Sequence, residues 1–222
     1  MTTSSDTGFD TEQTDRLLTT TRAVRKRLDL TRQVPREVLL DCIQLATQAP
    51  SPGNNQRWRW MVVTDPAKKR VIADLYGKSY AAYIAPRKEM IAPDDDARWR
   101  MTGSSDYLAS HMADVPVLVI PCLLETLPDV ATGEQHAGFW GGILPAVWSF
   151  QLALRSRGLG SALTTLHLNY EREIGEVLGI PDTVTQAALL PVAYTTGTDF
   201  APAARKPAAE VTYFDQWSVK AR

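Results

Sequence analysis

Residues 115–122, Val-Pro-Val-Leu-Val-Ile-Pro-Cys, are apolar without a break. A run of that length reads as a strand buried on both faces, because a strand with one wet face would alternate. Such a strand needs cover above and below, and the chain supplies candidates. Residues 139–157 are apolar nearly all round (Ile143, Leu144, Val147, Trp148, Phe150, Leu152, Ala153, Leu154). They predict one buried helix, under the sheet or at a subunit interface, with Pro145 in its first turns or at a kink. Residues 186–194 predict a second buried strand. At 222 residues the chain can bury a sizeable core, and residues 14–222 are read as one domain behind a polar, flexible tail, residues 1–13.

The remaining pattern is helix, loop and strand in turn. Residues 14–27 predict a first helix on Leu17, Leu18 and Val24. Pro35 opens a second, residues 35–49, whose stripe of Val38, Leu39, Cys42, Ile43, Leu45, Ala46 and Ala49 makes Cys42 a packing residue. Residues 59–64 predict a strand and 65–75 a third helix. Residues 76–112 are the least regular, carrying Tyr80, Tyr83, Trp99, Met101 and Tyr107 among charges. They read either as a lid or substrate segment or as a peripheral helical hairpin. A short helix ended by Gly179 and a strand-like tail at 211–214 complete the chain.

Several function classes are excluded. A formal net charge of −1 gives no footprint for nucleic acid or an anionic membrane. No window reads as a membrane span and no signal peptide opens the chain, so the expected location is the cytoplasm. Two cysteines, Cys42 and Cys122, make no disulfide framework. His111, His136 and His167 have neither ligand spacing nor a Cys pair, so each reads as a surface or hydrogen-bonded histidine and no metal is expected. Gly158-Leu-Gly160 follows a helix and lacks a third glycine, so it is no dinucleotide fingerprint.

Two stretches carry chemistry. In residues 49–58, Ala-Pro-Ser-Pro-Gly-Asn-Asn-Gln-Arg-Trp, the prolines and Gly53 stop the helix, and Asn54, Asn55 and Gln56 offer amide donors and acceptors together. That suits the edge of a planar heterocycle, although composition alone favours an ordinary helix-to-strand loop. In residues 21–27, Arg22 and Arg25 are three apart and would share a helix face. Converging guanidiniums call for an anion or an electron-rich ring between them; a solvated basic face is the alternative.

The order of these stretches resembles the nitroreductase-like flavoenzymes. Pro50-Ser51-Pro-Gly-Asn54-Asn-Gln56-Arg-Trp58 is similar to that family's Pro-Ser-Gly-x-Asn-x-Gln-Pro-Trp loop, departing at Pro52 and at Arg57, where proline is usual. Arg22, Val24 and Arg25 match its Arg-Arg-Ser-Val-Arg segment, with Thr21 and Ala23 in place of the first Arg and the Ser. Gly158-Leu-Gly160 followed by Thr164-Thr165-Leu166, then Leu189 to Tyr194, and Arg205-Lys206-Pro207 resemble its later segments, so the resemblance covers residues 17–214.

That resemblance implies an α+β fold, a central mostly antiparallel sheet flanked by helices, in a homodimer with FMN at the subunit interface. It implies cofactor contacts from Arg22, Ala23, Arg25, Ser51, Asn54, Gln56, Thr164, Thr165, Leu166 and Arg205. Arg25 would face N1 and O2 of the flavin and Thr165 its N5, while Arg22 and Arg205 hold the phosphate. The implied activity is NAD(P)H oxidation in two half-reactions: hydride passes from nicotinamide to flavin N5, then to a small nitroaromatic, quinone or similar conjugated acceptor. The flavin carries the chemistry, so no side chain need act as general acid. Thr164-Thr165 also resembles the stretch in iodotyrosine-deiodinase-like relatives, which keeps reductive dehalogenation, or flavin cleavage, as an alternative. A flavin-storing or sensing protein without turnover is the third reading.

Overall fold

The computed structural model describes residues 8–217. Its spine is the strand expected at 115–122, observed as β2, Val117–Leu123, with all seven residues buried. Strand β1, Trp58–Val63, runs antiparallel to it with Trp58 opposite Leu123 and Val63 opposite Leu118. On the other side lie β4, Thr185–Gln186, and β5, Leu190–Tyr194, both antiparallel to β2. Strand β3, Leu159–Ser161, pairs antiparallel with β5, giving the order β1-β2-β5-β3. The α+β, antiparallel expectation is therefore met.

The single strand expected at 186–194 is broken, and the cause faces it. Cys122 stands opposite Gln186 and Val119 opposite Leu190, so three residues oppose two, as in a bulge. One of those two is Pro121, which has no N–H to offer. Ala187 donates to the Pro121 carbonyl at 2.8 Å, and Leu189 turns away to Thr164.

One face of the sheet is covered by α2, Arg36–Ala46, and α6, Leu144–Ser156. Leu39, Cys42, Val147, Phe150 and Leu154 pack there against Val117, Val119 and Val192. Alternation leaves Leu118, Ile120 and Cys122 to the opposite face, where they are equally buried. The stretch expected as one helix, 139–157, is two: α5, Gly133–Gly141, ends at Gly142, and α6 begins with Pro145 in its first turn. Contrary to expectation, residues 133–156 do have the length and mean hydropathy of a membrane span. Half of that window is buried inside the fold, as befits a core element.

Residues 76–112 are not irregular. The third helix runs on as α3, Pro66–Glu89, capped by Asp65, and α4, Asp96–His111, returns beside it, a helical hairpin that buries Tyr80 and leaves Tyr83, Trp99 and Met101 exposed. A helix of 24 residues is about 36 Å long. Its buried stripe, Ile72, Ala73, Tyr76 and Tyr80, recurs at helical spacing. Helix α7, Glu171–Leu178, ends on Gly179 at φ 72°, as expected.

The first helix is the largest correction. It spans Thr11–Thr20 as α1, capped by Asp10, and stops short of both arginines. Thr20 and Thr21 hydroxyls bond the carbonyls of Arg16 and Leu17 at 2.7 and 2.6 Å. These bonds compete with continued helix in a β-branched run. Beyond it, Val24 and Leu28 are buried on either side of a turn that the Leu28 N–H closes on the Arg25 carbonyl at 3.2 Å. Two compact units result: one formed by the chain ends, and one of residues 22–198. The end unit holds α1 and a short α8, Ala208–Val211, which replaces the start of the strand expected at 211–214. Of the flexible tail read at 1–13, residues 1–7 lie outside the described residues, and 11–13 are helical.

Candidate functional site

Helix α6 ends at Gly158, whose φ of +75° suits only glycine comfortably. Two residues on, Gly160 lies so close to its neighbours that a Cβ would stand 2.9 Å from Val24 and 2.8 Å from Thr195. That gap lets the 22–28 ribbon dock on β3. Ala23 bridges Ser161 in parallel, and the Val24 N–H donates to the Ser161 carbonyl at 2.9 Å. Beneath, buried Gln151 donates to Ser161 Oγ at 3.0 Å. The ribbon is closed by the Leu28–Thr195 bridge and by Arg27 Nε on the Thr196 carbonyl at 2.9 Å. Arg22 is exposed and Arg25 half-buried on this ribbon, so they owe their placement to the sheet edge and not to a helix face.

Thr164 stands nearby. Its N–H and C=O both bond Leu189, at 3.1 and 2.8 Å, and its hydroxyl donates to Tyr76 Oη at 3.3 Å. Burial raises the Tyr76 pKa, while the Thr164 hydrogen bond and the Arg25 charge oppose that rise. Tyr80 lies one turn on, its ring stacked on Tyr76 at 6.2 Å between centroids. Thr165 is exposed at the start of a 3-10 turn, Leu166–Tyr170, and Leu166 is half-buried. Thr164 and Tyr76 thus form one group, and the Arg25 charge acts on its phenol. Tyr76 was not singled out in the sequence, and Tyr80 only as one aromatic of the 76–112 segment; their spacing of four becomes a face once α3 is known to continue.

The amide loop forms a second group. Gly53, Asn54 and Gln56 all have positive φ, at 58°, 53° and 50°, a left-handed backbone that asparagine tolerates and glycine favours. Ser51 Oγ accepts the Gln56 N–H at 3.2 Å, and Gln56 Nε2 donates to Asn54 Oδ1 at 3.0 Å. The Asn54 amide group and the Gln56 carbonyl oxygen are left as a donor and an acceptor side by side. Ser51 and Gln56 border a cavity of about 320 Å³ floored by Leu127 and Phe139 and rimmed by the Arg57–Glu125 ion pair. None of these cavity-lining partners at 123–142 was singled out from sequence.

The ribbon that bears Arg25 and the strand that follows the amide loop are anchored far apart in one chain. Trp58, just after the amide loop, is opposite Leu123 on one edge strand, whereas Ala23 is aligned through Ser161 and Val192 with Val117 beyond the other edge. With strands ~4.8 Å apart and ~3.3 Å per residue, that diagonal is roughly 25–30 Å. Arg205 belongs to the unit of the chain ends, where it is exposed and donates to the Ala204 carbonyl at 2.9 Å.

His167 corrects another expectation. It is fully buried, neither ring nitrogen has a protein partner, and burial pushes its pKa down to about 4. Cys42 and Cys122 are buried free thiols, the latter pushed up to about 12 by burial. Among the described residues no cluster of His, Cys, Asp and Glu could hold a metal ion.

Known proteins share this arrangement of elements. The FMN-dependent nitroreductase NfnB from Mycobacterium smegmatis, in complex with NADPH, matches with a TM-score of 0.65 at 18% identity, over 93% of this chain and 100% of that one. Oxidized iodotyrosine deiodinase bound to FMN and 3-iodo-L-tyrosine matches at 0.62 and 22% identity, over 87% and 93%. By sequence, the iodotyrosine dehalogenase 1 homolog of Caenorhabditis elegans is 27% identical over 185 residues, 82% of this chain and 55% of that protein. The 5,6-dimethylbenzimidazole synthase of Rhodospirillum rubrum is 32% identical over 131 residues, 55% of this chain and 54% of that protein. The chain therefore spans little more than half the length of these two relatives. A family model described as the Nitroreductase family matches residues 18–194, well over half of the chain, and the protein belongs to that family.

Proposed function

We propose that the protein is an FMN-dependent NAD(P)H oxidoreductase that reduces a small conjugated acceptor, a nitroaromatic or a quinone, and works as a homodimer. The observation that carries this reading is the docking on β3 of the ribbon that bears Arg25, at one corner of the sheet, with the amide loop at the diagonal corner. Both corners fit FMN. Arg25 and the Thr164–Thr165 turn offer positive charge and hydroxyl donors, which suit a ring that gains electron density. Ser51, Asn54 and Gln56 offer the paired donor and acceptor that suit a heterocycle edge. A span of roughly 25–30 Å exceeds what one flavin ring can bridge within a chain, so each site takes one corner from each of two copies. Arg22 holds the phosphate, Ala23 and Leu166 contribute backbone and packing, and the hairpin α3–α4 sets acceptor choice. Bound FMN would supply hydride chemistry, and NADH or NADPH the electrons.

The test is a titration of the purified full chain with FMN, followed by turnover with NADH or NADPH and menadione or nitrofurazone. Flavin binding with turnover is expected, and Arg25→Ala should weaken FMN affinity about 10- to 100-fold, as loss of a charged hydrogen bond does. A protein that stays colourless with excess FMN overturns the reading. A second reading, reductive dehalogenation, is favoured by the Thr164–Thr165 pair and by the sequence similarity to iodotyrosine dehalogenases. Release of iodide from iodotyrosine, without nitroarene or quinone turnover, would select it.

A further inference from the structure

The backbone of the amide loop has to be held in shape. Asn54 and Gln56 have φ of 53° and 50°, a left-handed region that asparagine tolerates and glutamine seldom enters. Such a residue persists only where its surroundings over-determine it. On its amide side Gln56 is held by the bond from its N–H to Ser51 Oγ at 3.2 Å. On its carbonyl side there is a long contact from Arg59 Nη1 at 3.4 Å, and then Arg57. A proline at 57, usual in the loop that this one resembles, would fix φ there and push Gln56 toward extended backbone. Arginine leaves Gln56 free to be left-handed but brings no covalent lock of its own.

A clasp to the end of β2 takes the place of that lock. The Arg57 carbonyl accepts the Leu124 N–H at 2.9 Å, one step beyond the Trp58–Leu123 pair that opens β1. The Arg57 guanidinium then reaches the Glu125 carboxylate. Glu125 is itself fastened to the sheet: its carbonyl accepts the Thr185 hydroxyl at 2.8 Å, and Thr185 lies opposite Leu123. A continuous path therefore runs from the sheet through Glu125 and Arg57 to Gln56, whose side chain continues it to Asn54 Oδ1 at 3.0 Å. The two charged side chains are 48% and 31% exposed, so salt screens their attraction. A proline ring would be indifferent to salt.

We infer that Arg57 and Glu125 are positioning residues of the cofactor site. Their ion pair holds the loop in the left-handed shape that sets Asn54 and Gln56 side by side for the flavin edge, and gives flavin affinity a component that salt removes. This rests on the FMN reading above. Both residues act through Gln56 and carry no proton in the reaction.

Wild type, Arg57→Gln, Glu125→Gln, the double variant Arg57→Gln/Glu125→Gln and the charge swap Arg57→Glu/Glu125→Arg are titrated with FMN in about 20 mM and about 500 mM sodium chloride. Wild type binds FMN. At low salt each single variant binds about three- to fivefold more weakly, the upper range for an exposed pair. The double variant is no weaker than the singles, because the pair is lost only once, and the charge swap recovers to within about twofold of wild type. At high salt all five agree within about twofold, since the phosphate of FMN loses the same attraction in each. Turnover at saturating FMN stays within about twofold of wild type, so the loss lies in affinity. A Glu125→Gln protein that binds as well as wild type, or better, overturns the inference while FMN binding stands, because Arg57 would then act only as a charge for the anionic cofactor. Equal losses at both salt concentrations overturn it too, as do additive losses in the double variant or a charge swap as weak as the singles. If Arg57→Gln does not fold, Glu125→Gln and the charge swap decide by the same reading. Failure of wild type to bind FMN overturns this inference together with the functional reading, and the wild-type titration separates the two kinds of failure.

Discussion

His167 is the residue whose burial has the clearest cost. An imidazole with both nitrogens inside and no protein partner is kept neutral, with a pKa of about 4 against an ordinary 6.5. Between those values the unfolded chain takes up a proton that the folded chain refuses. Stability from this group is therefore complete above about pH 6.5 and is lost as pH falls toward 4, by about 3 kcal/mol in all. Urea midpoints at pH 7.5, 5.5 and 4.5 should fall in wild type and fall distinctly less in His167→Leu; parallel curves would refute this. The two thiols give a second expectation. Cys42 and Cys122 should ignore a disulfide reagent in the native protein and react fully in guanidinium, since both are buried and burial raises both pKa values. Packing of Cys42 was legible because it sits on an apolar stripe at helical spacing. The fate of His167 was not legible. A lone histidine between Leu166 and Leu168 is ambiguous until the turn that carries it is known to lie under α3 and α7.

Among the elements, those with strong local signals were read well. Helix α2, the loop before β1, β2 and the Gly179 stop all rest on periodicity or on Gly and Pro. The errors fall where a tertiary contact outweighs local preference. Residues 21–27 have helical composition, yet the ribbon is drawn onto β3 because Gly160 leaves room for Val24. The long α3 was cut short in the sequence reading because charged and aromatic residues blur its stripe. A Gly160→Ala change should therefore cost more than an ordinary glycine replacement. Its Cβ would meet Val24 and Thr195 inside 3.0 Å, and overpacking of this kind costs typically 1–3 kcal/mol. Chemical denaturation measures that loss, and weaker FMN affinity in the same variant would show that the ribbon is part of the site. Asp65→Ala, which removes the cap on the Lys68 N–H at 2.8 Å, should cost about 1 kcal/mol and leave affinity intact.

At the scale of the whole molecule, the candidate residues were legible but their distribution was not. Sequence order cannot tell whether Arg25 and Asn54 meet within a chain or between chains, and only the strand register separates them. The proposal then predicts complementation. Arg25→Ala and Asn54→Ala homodimers each carry two damaged sites, whereas a mixed dimer carries one site with both defects and one with none. Mixing and refolding the two variants should recover tight FMN binding at up to about one quarter of wild-type capacity: half the dimers are mixed at random assortment, each with one intact site. No recovery would place both corners in the same site of the same chain.

Pro86 inside α3 has a consequence for this larger assembly. Its ring offers no N–H to the Ala82 carbonyl, so the helix is weakest just beyond the Tyr76–Tyr80 wall. Beyond that joint the hairpin tip is clasped to α4 by Lys88 on Asp106, a pair more than a third exposed on both sides. A clasp of that kind loosens with ionic strength. Added salt should therefore speed amide exchange in residues 83–95 while the wall stays protected, so that the flap opens without unseating the floor beneath it.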